Sequence, residues 1–288
     1  MLPNLRLTPS AILALAAAAW LFYPVASRLS HDWLNDDNYS HGILIVPLAL
    51  FFAWERRDRL ARLTPRPSAI GLLVVLGSLV MLVAGTLGAE LFLTRVSILG
   101  TLVGAILFTG GWAYLSVLAF PLAFLLLMIP IPAIVFNQLA FPLQLFASQF
   151  GTAVMELSRV PVLREGNVII LAHTTLEVAE ACSGIRSLIS LLTLGIVYGY
   201  FTDPRPWMRT LIAASTIPIA IIANGLRVAG TGVLAHYYGR EAADGFFHTF
   251  SGWLVFVVAF VMLFVITRAL LRLSPTPAAP DAATGAAA

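Results

Sequence analysis

The chain has 288 residues, of which 59% are hydrophobic and only 11% charged, with a mean hydropathy of +0.91. A soluble domain carries a charged share nearer about a quarter, so these values exclude a soluble enzyme and require a polytopic membrane protein. The formal net charge of +3 comes from arginines gathered in short segments, a mark of topology rather than a nucleic-acid footprint; no CxxC pair, His-rich tract or glycine-rich phosphate loop is present.

In chain order, residues 9–29 form a first apolar span, and about 20 such residues suffice to cross a bilayer. Val25-Ala26-Ser27 could serve as a signal cleavage site, but an uncleaved helix is the favoured reading. The segment from His31 to His41 is acidic and carries Trp33 and Tyr39, which suit a membrane interface; Asp36 and Asp37 read as a solvated loop. Gly42 to Trp54 is a short second span that ends in Glu55-Arg56-Arg57-Asp58-Arg59, with Arg62 and Arg66 close behind. By the positive-inside rule this arginine-rich segment is cytoplasmic, which puts the N-terminus inside and the acidic loop outside.

Counting onward, residues 69–88, 91–110 and 112–129 are the third, fourth and fifth spans, the last stopped by Pro130-Ile131-Pro132. Arg95 is a buried or snorkelling cation of unassigned role in the fourth. Residues 133–156 are apolar but broken by Asn137, Pro142, Gln144, Gln149 and Glu156, as an interfacial or re-entrant piece would be. Arg164 to Asn167, followed by Val168–Leu171 and Thr175–Val178, reads as a short extracytoplasmic hairpin. The sixth, seventh and eighth spans lie near 183–201, 210–234 and 247–267, with Arg205, Arg209, Arg268 and Arg272 at cytoplasmic ends. The expected architecture is therefore all-α, about eight transmembrane helices with both termini cytoplasmic. One domain covers 1–273 and a disordered Ala/Pro/Thr-rich cytoplasmic tail covers 274–288.

This topology gathers three polar positions on the outer side. Cys182, the single cysteine, opens the sixth span; Arg227 lies about 10 Å below the outer end of the seventh; His248 opens the eighth. Asn224, Arg227 and Thr231 share one stripe, as do His248 and Ser251. A thiol attacks a carbonyl as its thiolate, which an imidazole, an arginine or a helix N-terminus favours. Here His248 would be base and then acid, Arg227 would stabilise charge on the oxyanion, and Arg186 would stand one turn beyond Cys182. Each residue also has a plainer role: small packing for the cysteine, lipid contact or snorkelling for the arginine, structural hydrogen bonding for the histidine. His31, His41, His173 and His236 lie on the same side, so the topology leaves the choice of histidine open. Glu180 and Glu177 either shape the pocket entrance or belong to a solvated hairpin.

Three segments carry a resemblance. They are Glu180-Ala181-Cys182-Ser183-Gly184-Ile185-Arg186-Ser187-Leu188, Ala223-Asn224-Gly225-Leu226-Arg227-Val228 and Phe247-His248-Thr249-Phe250-Ser251-Gly252-Trp253, with the early Asn38-Tyr39-Ser40-His41-Gly42 stretch beside them. With these the chain resembles the exosortases, polytopic bacterial membrane proteins thought to process proteins bearing the PEP-CTERM sorting tail. The resemblance implies a sortase-like site on a helical membrane fold, without metal or cofactor: Cys182 as nucleophile, Arg227 as transition-state stabiliser and His248 as general acid/base. It also implies PEP-CTERM-tailed, membrane-anchored precursors as substrates, an inner-membrane location with a periplasmic active site, and an association with exopolysaccharide production. The rival readings are a transporter or a scaffold of an exopolysaccharide export system. In the transporter reading Arg227 binds an anion and Cys182 only packs.

Overall fold

The computed structural model describes residues 8–36, 38–172, 174–178, 185–239 and 246–274, with side chains described at all of these except 185 and 246–251. Two compact units divide the chain, residues 1–136 and residues 137–288.

Among its described residues the first unit contains helices and no strand. Helix α1 (Pro9–Asn35) starts with Thr8 accepting from the Ala11 backbone N–H and with Pro9 in the first turn, where a missing N–H costs nothing. It then runs past the expected end of its span, so His31, Asp32 and Trp33 are helical rather than loop. Helices α2 (Gly42–Glu55) and α3 (Arg57–Ala61) follow, the guanidinium of Arg57 stacking on the Trp54 ring at 3.9 Å. Helices α4 (Ala69–Leu87) and α5 (Leu91–Thr109) form an antiparallel pair packed through small residues. At Gly71 any Cβ would run into the Phe108 backbone, and at Gly100 into the Ser78 hydroxyl. Van der Waals contact is what draws helices together in lipid, and glycine permits that closeness.

Helix α6 (Trp112–Phe124) tightens into a 3-10 turn, Leu125–Met128, before Pro130 and Pro132. The prolines leave backbone carbonyls without helical donors. Side chains from the acidic segment supply them: Trp33 Nε1 donates to the Met128 carbonyl at 2.9 Å and His41 Nε2 to the Leu127 carbonyl at 3.3 Å. Tyr39 hydrogen-bonds the backbone of Ile131. Burial holds the His41 imidazole below its ordinary pKa, and its Nδ1 is buried without a partner. Phe52 packs on Phe120 and Phe124 at 5.1 and 5.3 Å, tying α2 to α6.

In the second unit, helix α7 (Ala133–Leu157) supports a small sheet of three antiparallel strands, β1 (Val162–Glu165), β2 (Val168–Leu171) and β3 (Thr175–Glu177). The expected hairpin thus gains a strand, because Arg164 and Glu165 pair with Ile169 and Val168 and leave Gly166-Asn167 as the turn. Gly166 adopts φ 65°, which a glycine accepts without strain. The polar interruptions of α7 hold this turn in place: Ser148 Oγ donates to the Gly166 carbonyl at 2.9 Å, and Gln144 faces the Asn167 amide. Ile169 and Leu171 complete a core with Met155, Val160, Val178 and Val228.

Helices α8 (Ile185–Thr202), α9 (Pro206–Tyr238) and α10 (Phe246–Leu273) pack on one another around Leu191, Ile212, Ile219, Ala259 and Leu263. The α8–α9 turn is locked by Asp203, only 2% exposed, whose carboxylate takes a 2.8 Å hydrogen bond from Arg205 Nη2. That guanidinium holds the Asp203 carboxyl below the usual carboxylate range. It also donates to the Ser274 carbonyl, capping the end of α10.

Among the described residues five helices are long and apolar enough to cross a membrane, six where Trp112–Met128 and Ala133–Leu157 count as one broken span. The other two expected spans correspond to α2, 14 residues, and α8, 18 residues. At 1.5 Å per residue α2 covers about 21 Å of a hydrocarbon core about 30 Å thick. The chain is a polytopic, all-α membrane protein with one small sheet.

Candidate active site

The site residues proposed from sequence fall in the second unit, on or immediately before α8, α9 and α10. Two glycines let α8 lie close to α9: a Cβ at Gly195 would meet the Thr216 side chain, and one at Gly199 would come within 3.2 Å of the Arg209 carbonyl. These contacts define an antiparallel register. Followed back along α8, it brings Ile185 and Arg186 level with Asn224 and Ala223 on α9. Arg186 is partly buried there. Cys182 and Glu180 precede α8 by a few residues in sequence and lie outside the described residues.

Arg227 projects toward α10. A Cβ built on Gly252 would stand 3.8 Å from Arg227 Nη2, so the guanidinium rests against a stretch of α10 without a side chain. His248 is one helical turn earlier on α10, about 6 Å along the axis, in line with Gly252. Its imidazole and the hydroxyl of Ser251 belong to side chains outside the described set. Asn224, one turn before Arg227, is 3% exposed and shares its stripe. Helix α9 runs on to Tyr238 instead of ending near 234, which places Arg227 about 16 Å from the helix end rather than about 10 Å.

The other face of α9 has a different task. Gly225 and Gly232 admit Phe150 and Met155 from α7, and Val228, Ala229 and Ala235 join the core under β2. His236 falls on that side, nine residues and about half a turn of azimuth away from Arg227. His41 already serves the Leu127 carbonyl, His31 is a mostly exposed neighbour of Asp32, and His173 lies outside the described residues. Among the described residues, His248 is the histidine whose helix position adjoins the Arg227 guanidinium within this unit.

Sequence reasoning missed the partner of Arg95. That side chain is 4% exposed on α5 and makes an ion pair with Asp32 of α1. The signal was available, because a cation inside a span commonly pairs with a carboxylate or with backbone carbonyls. It was hidden by reading the segment from His31 to His41 as an acidic outer loop rather than as the end of α1.

A family model described as transmembrane exosortase matches residues 33–265. No curated protein and no solved structure matches the chain.

Proposed function

Because the chain belongs to the transmembrane exosortase family, we propose that it is a membrane-embedded cysteine endopeptidase, working as a transpeptidase on the C-terminal sorting tail of exported proteins. The observation that carries this reading is the Arg227 guanidinium set against Gly252, one turn from His248, at the level where α8 begins three residues after Cys182.

In the proposed reaction His248 takes the Cys182 proton and the thiolate attacks the scissile carbonyl. The carbonyl π electrons move onto oxygen, and that oxyanion is held by Arg227, which offers several N–H donors and a charge that is never lost. Collapse of the tetrahedral species expels the amine, which takes its proton from His248 and leaves a thioester on Cys182. An incoming amine or water then releases the acyl group. Asn224 and Arg186 are supporting residues, Asn224 by sharing the Arg227 stripe and Arg186 by its charge at the α8 N-terminus. Glu180 and Ser251 complete the proposed surroundings. PEP-CTERM-tailed precursors are the proposed substrates, the inner membrane the proposed location with the site at the periplasmic face, and exopolysaccharide machinery a proposed associate.

The test is processing of a tagged PEP-CTERM-type precursor in membranes holding either the native chain or Cys182→Ala at equal levels. Accumulation of full-length precursor with Cys182→Ala is expected. Normal processing by that variant overturns the peptidase reading and turns Arg227 into an anion-binding residue of a transporter.

A further inference from the structure

The first unit contains a cleft of about 370 Å³ between α1, the end of α4 and the start of α5. That volume lies at the lower end of the roughly 300–1,000 Å³ of small-molecule sites. Among the described residues, two charged side chains line it, Arg28 and Arg95, and no carboxylate does. Arg95 spends part of its donor fork on Asp32, whereas Arg28 is exposed and has no acidic partner among the described residues. Glu90, just outside the lining, is committed to capping α5 through the Leu93 N–H at 3.0 Å. The cleft therefore holds a cation, Arg28, that has no ion-pair partner among the described residues.

The surroundings are apolar. Val25 and Leu91 line the cleft, and Tyr23 and Leu87 beside it are 71% and 83% exposed. In sequence order it lies at the helix ends opposite the Arg56–Arg66 segment, the side where arginine is disfavoured by topology and needs a reason to be present. An arginine fork beside apolar helix surface fits a phosphate ester carrying hydrocarbon, and the space exceeds what a bare ion would need. We propose that this cleft binds the phosphate-bearing headgroup of an anionic lipid, with Arg28 as its ligand and the Arg95–Asp32 pair as a fixed wall beside it. This site is independent of the peptidase reading.

Native mass spectrometry of the full chain released from micelles tests it, with phosphatidylglycerol, phosphatidylcholine or inorganic phosphate offered in turn. Phosphatidylglycerol should be retained about tenfold more than phosphatidylcholine, whose phosphate offers the same acceptor but whose choline cation cancels the headgroup charge. Arg28→Gln should remove that excess, and so should Val25→Trp, which fills the cleft and leaves the ion pair intact. Arg59→Gln, an exposed arginine of α3, should keep it. Arg28-dependent retention of inorganic phosphate without lipid would keep the phosphate chemistry and assign the source to a soluble ester. Equal retention by the native chain and Arg28→Gln for every ligand overturns the proposal.

Discussion

Arg95 and Arg227 are the same residue type, each inside an apolar helix, and they do opposite things with it. Arg95 is nearly sealed off and committed to Asp32, so its charge is balanced within the first unit. Arg227 is only partly buried and is set beside a glycine of α10, with room left around its guanidinium by the absent side chain. A cation in a span thus signals either a structural ion pair or a site. The surroundings differ: Arg95 meets a carboxylate on another helix, whereas Arg227 lies against Gly252, one turn from the His248 position.

The largest contrast should come from exchanging each arginine for lysine. Lysine keeps the charge and loses the planar fork. Arg227→Lys should lower precursor processing by about 10²–10³-fold, the usual loss when an oxyanion donor is removed, at unchanged protein level. Arg95→Lys should process normally, because an ammonium still pairs with Asp32. Full activity of Arg227→Lys, or loss with Arg95→Lys alone, would erase the distinction between the two sites.

Stability should reverse the ranking. Arg95→Leu strands the Asp32 carboxylate, and since Asp32 is one-third exposed the expected cost is about 2 kcal/mol rather than the larger figure for a fully buried pair. The double variant Asp32→Leu/Arg95→Leu should recover most of the lost melting temperature in detergent. A double variant no better than the single one would mean that the pair does not act as a unit.

This contrast also marks what the residues alone could reveal. The helices α4, α5 and α8 were legible within a few residues, and α10 apart from its last turn and a half, since continuous apolar runs bounded by arginines, prolines and glycines leave few alternatives. That Asn224 and Arg227 share one stripe was legible because helical spacing aligns them along α9. The Asp32 pairing was not, because it joins residues far apart in sequence and depends on α1 continuing to Asn35. Strand β1 was not, because Arg164 and Glu165 look like turn residues until Gly166 is seen to supply the positive φ. The cleft at Arg28 was invisible for the same reason as the ion pair, being made by three helices whose register no local pattern encodes.

Two glycines on neighbouring stripes sharpen the comparison at smaller cost. Gly225→Ala drives a methyl group into the Phe150 ring and should cost about 1–3 kcal/mol of stability. Gly252→Ala places its methyl at ordinary contact distance from Arg227, so melting should be unchanged and processing should fall only a few-fold. Gly252→Leu should displace the guanidinium and fall much further in processing. If Gly252→Leu works as well as the native chain, the space beside Arg227 is not part of the site.

The smallest effect concerns the clamp on the Pro130–Pro132 break, where His41 offers a pH handle. Its imidazole donates through Nε2 to the Leu127 carbonyl, while the buried Nδ1 has no acceptor, so a second proton would be a buried, unpartnered donor. Burial accordingly keeps the folded-state pKa below the ordinary value of 6.5. The unfolded chain binds the proton first as pH falls, so the contribution of His41 is complete above about 6.5 and is lost as pH drops below it toward the folded pKa. Melting temperatures of the native chain should therefore decline from pH 7 to pH 5 more steeply than those of His41→Gln, whose amide can still donate to Leu127 and does not titrate. Parallel declines in the two proteins would show that the imidazole is not held neutral by burial, and that the clamp rests on Trp33 and Tyr39 alone.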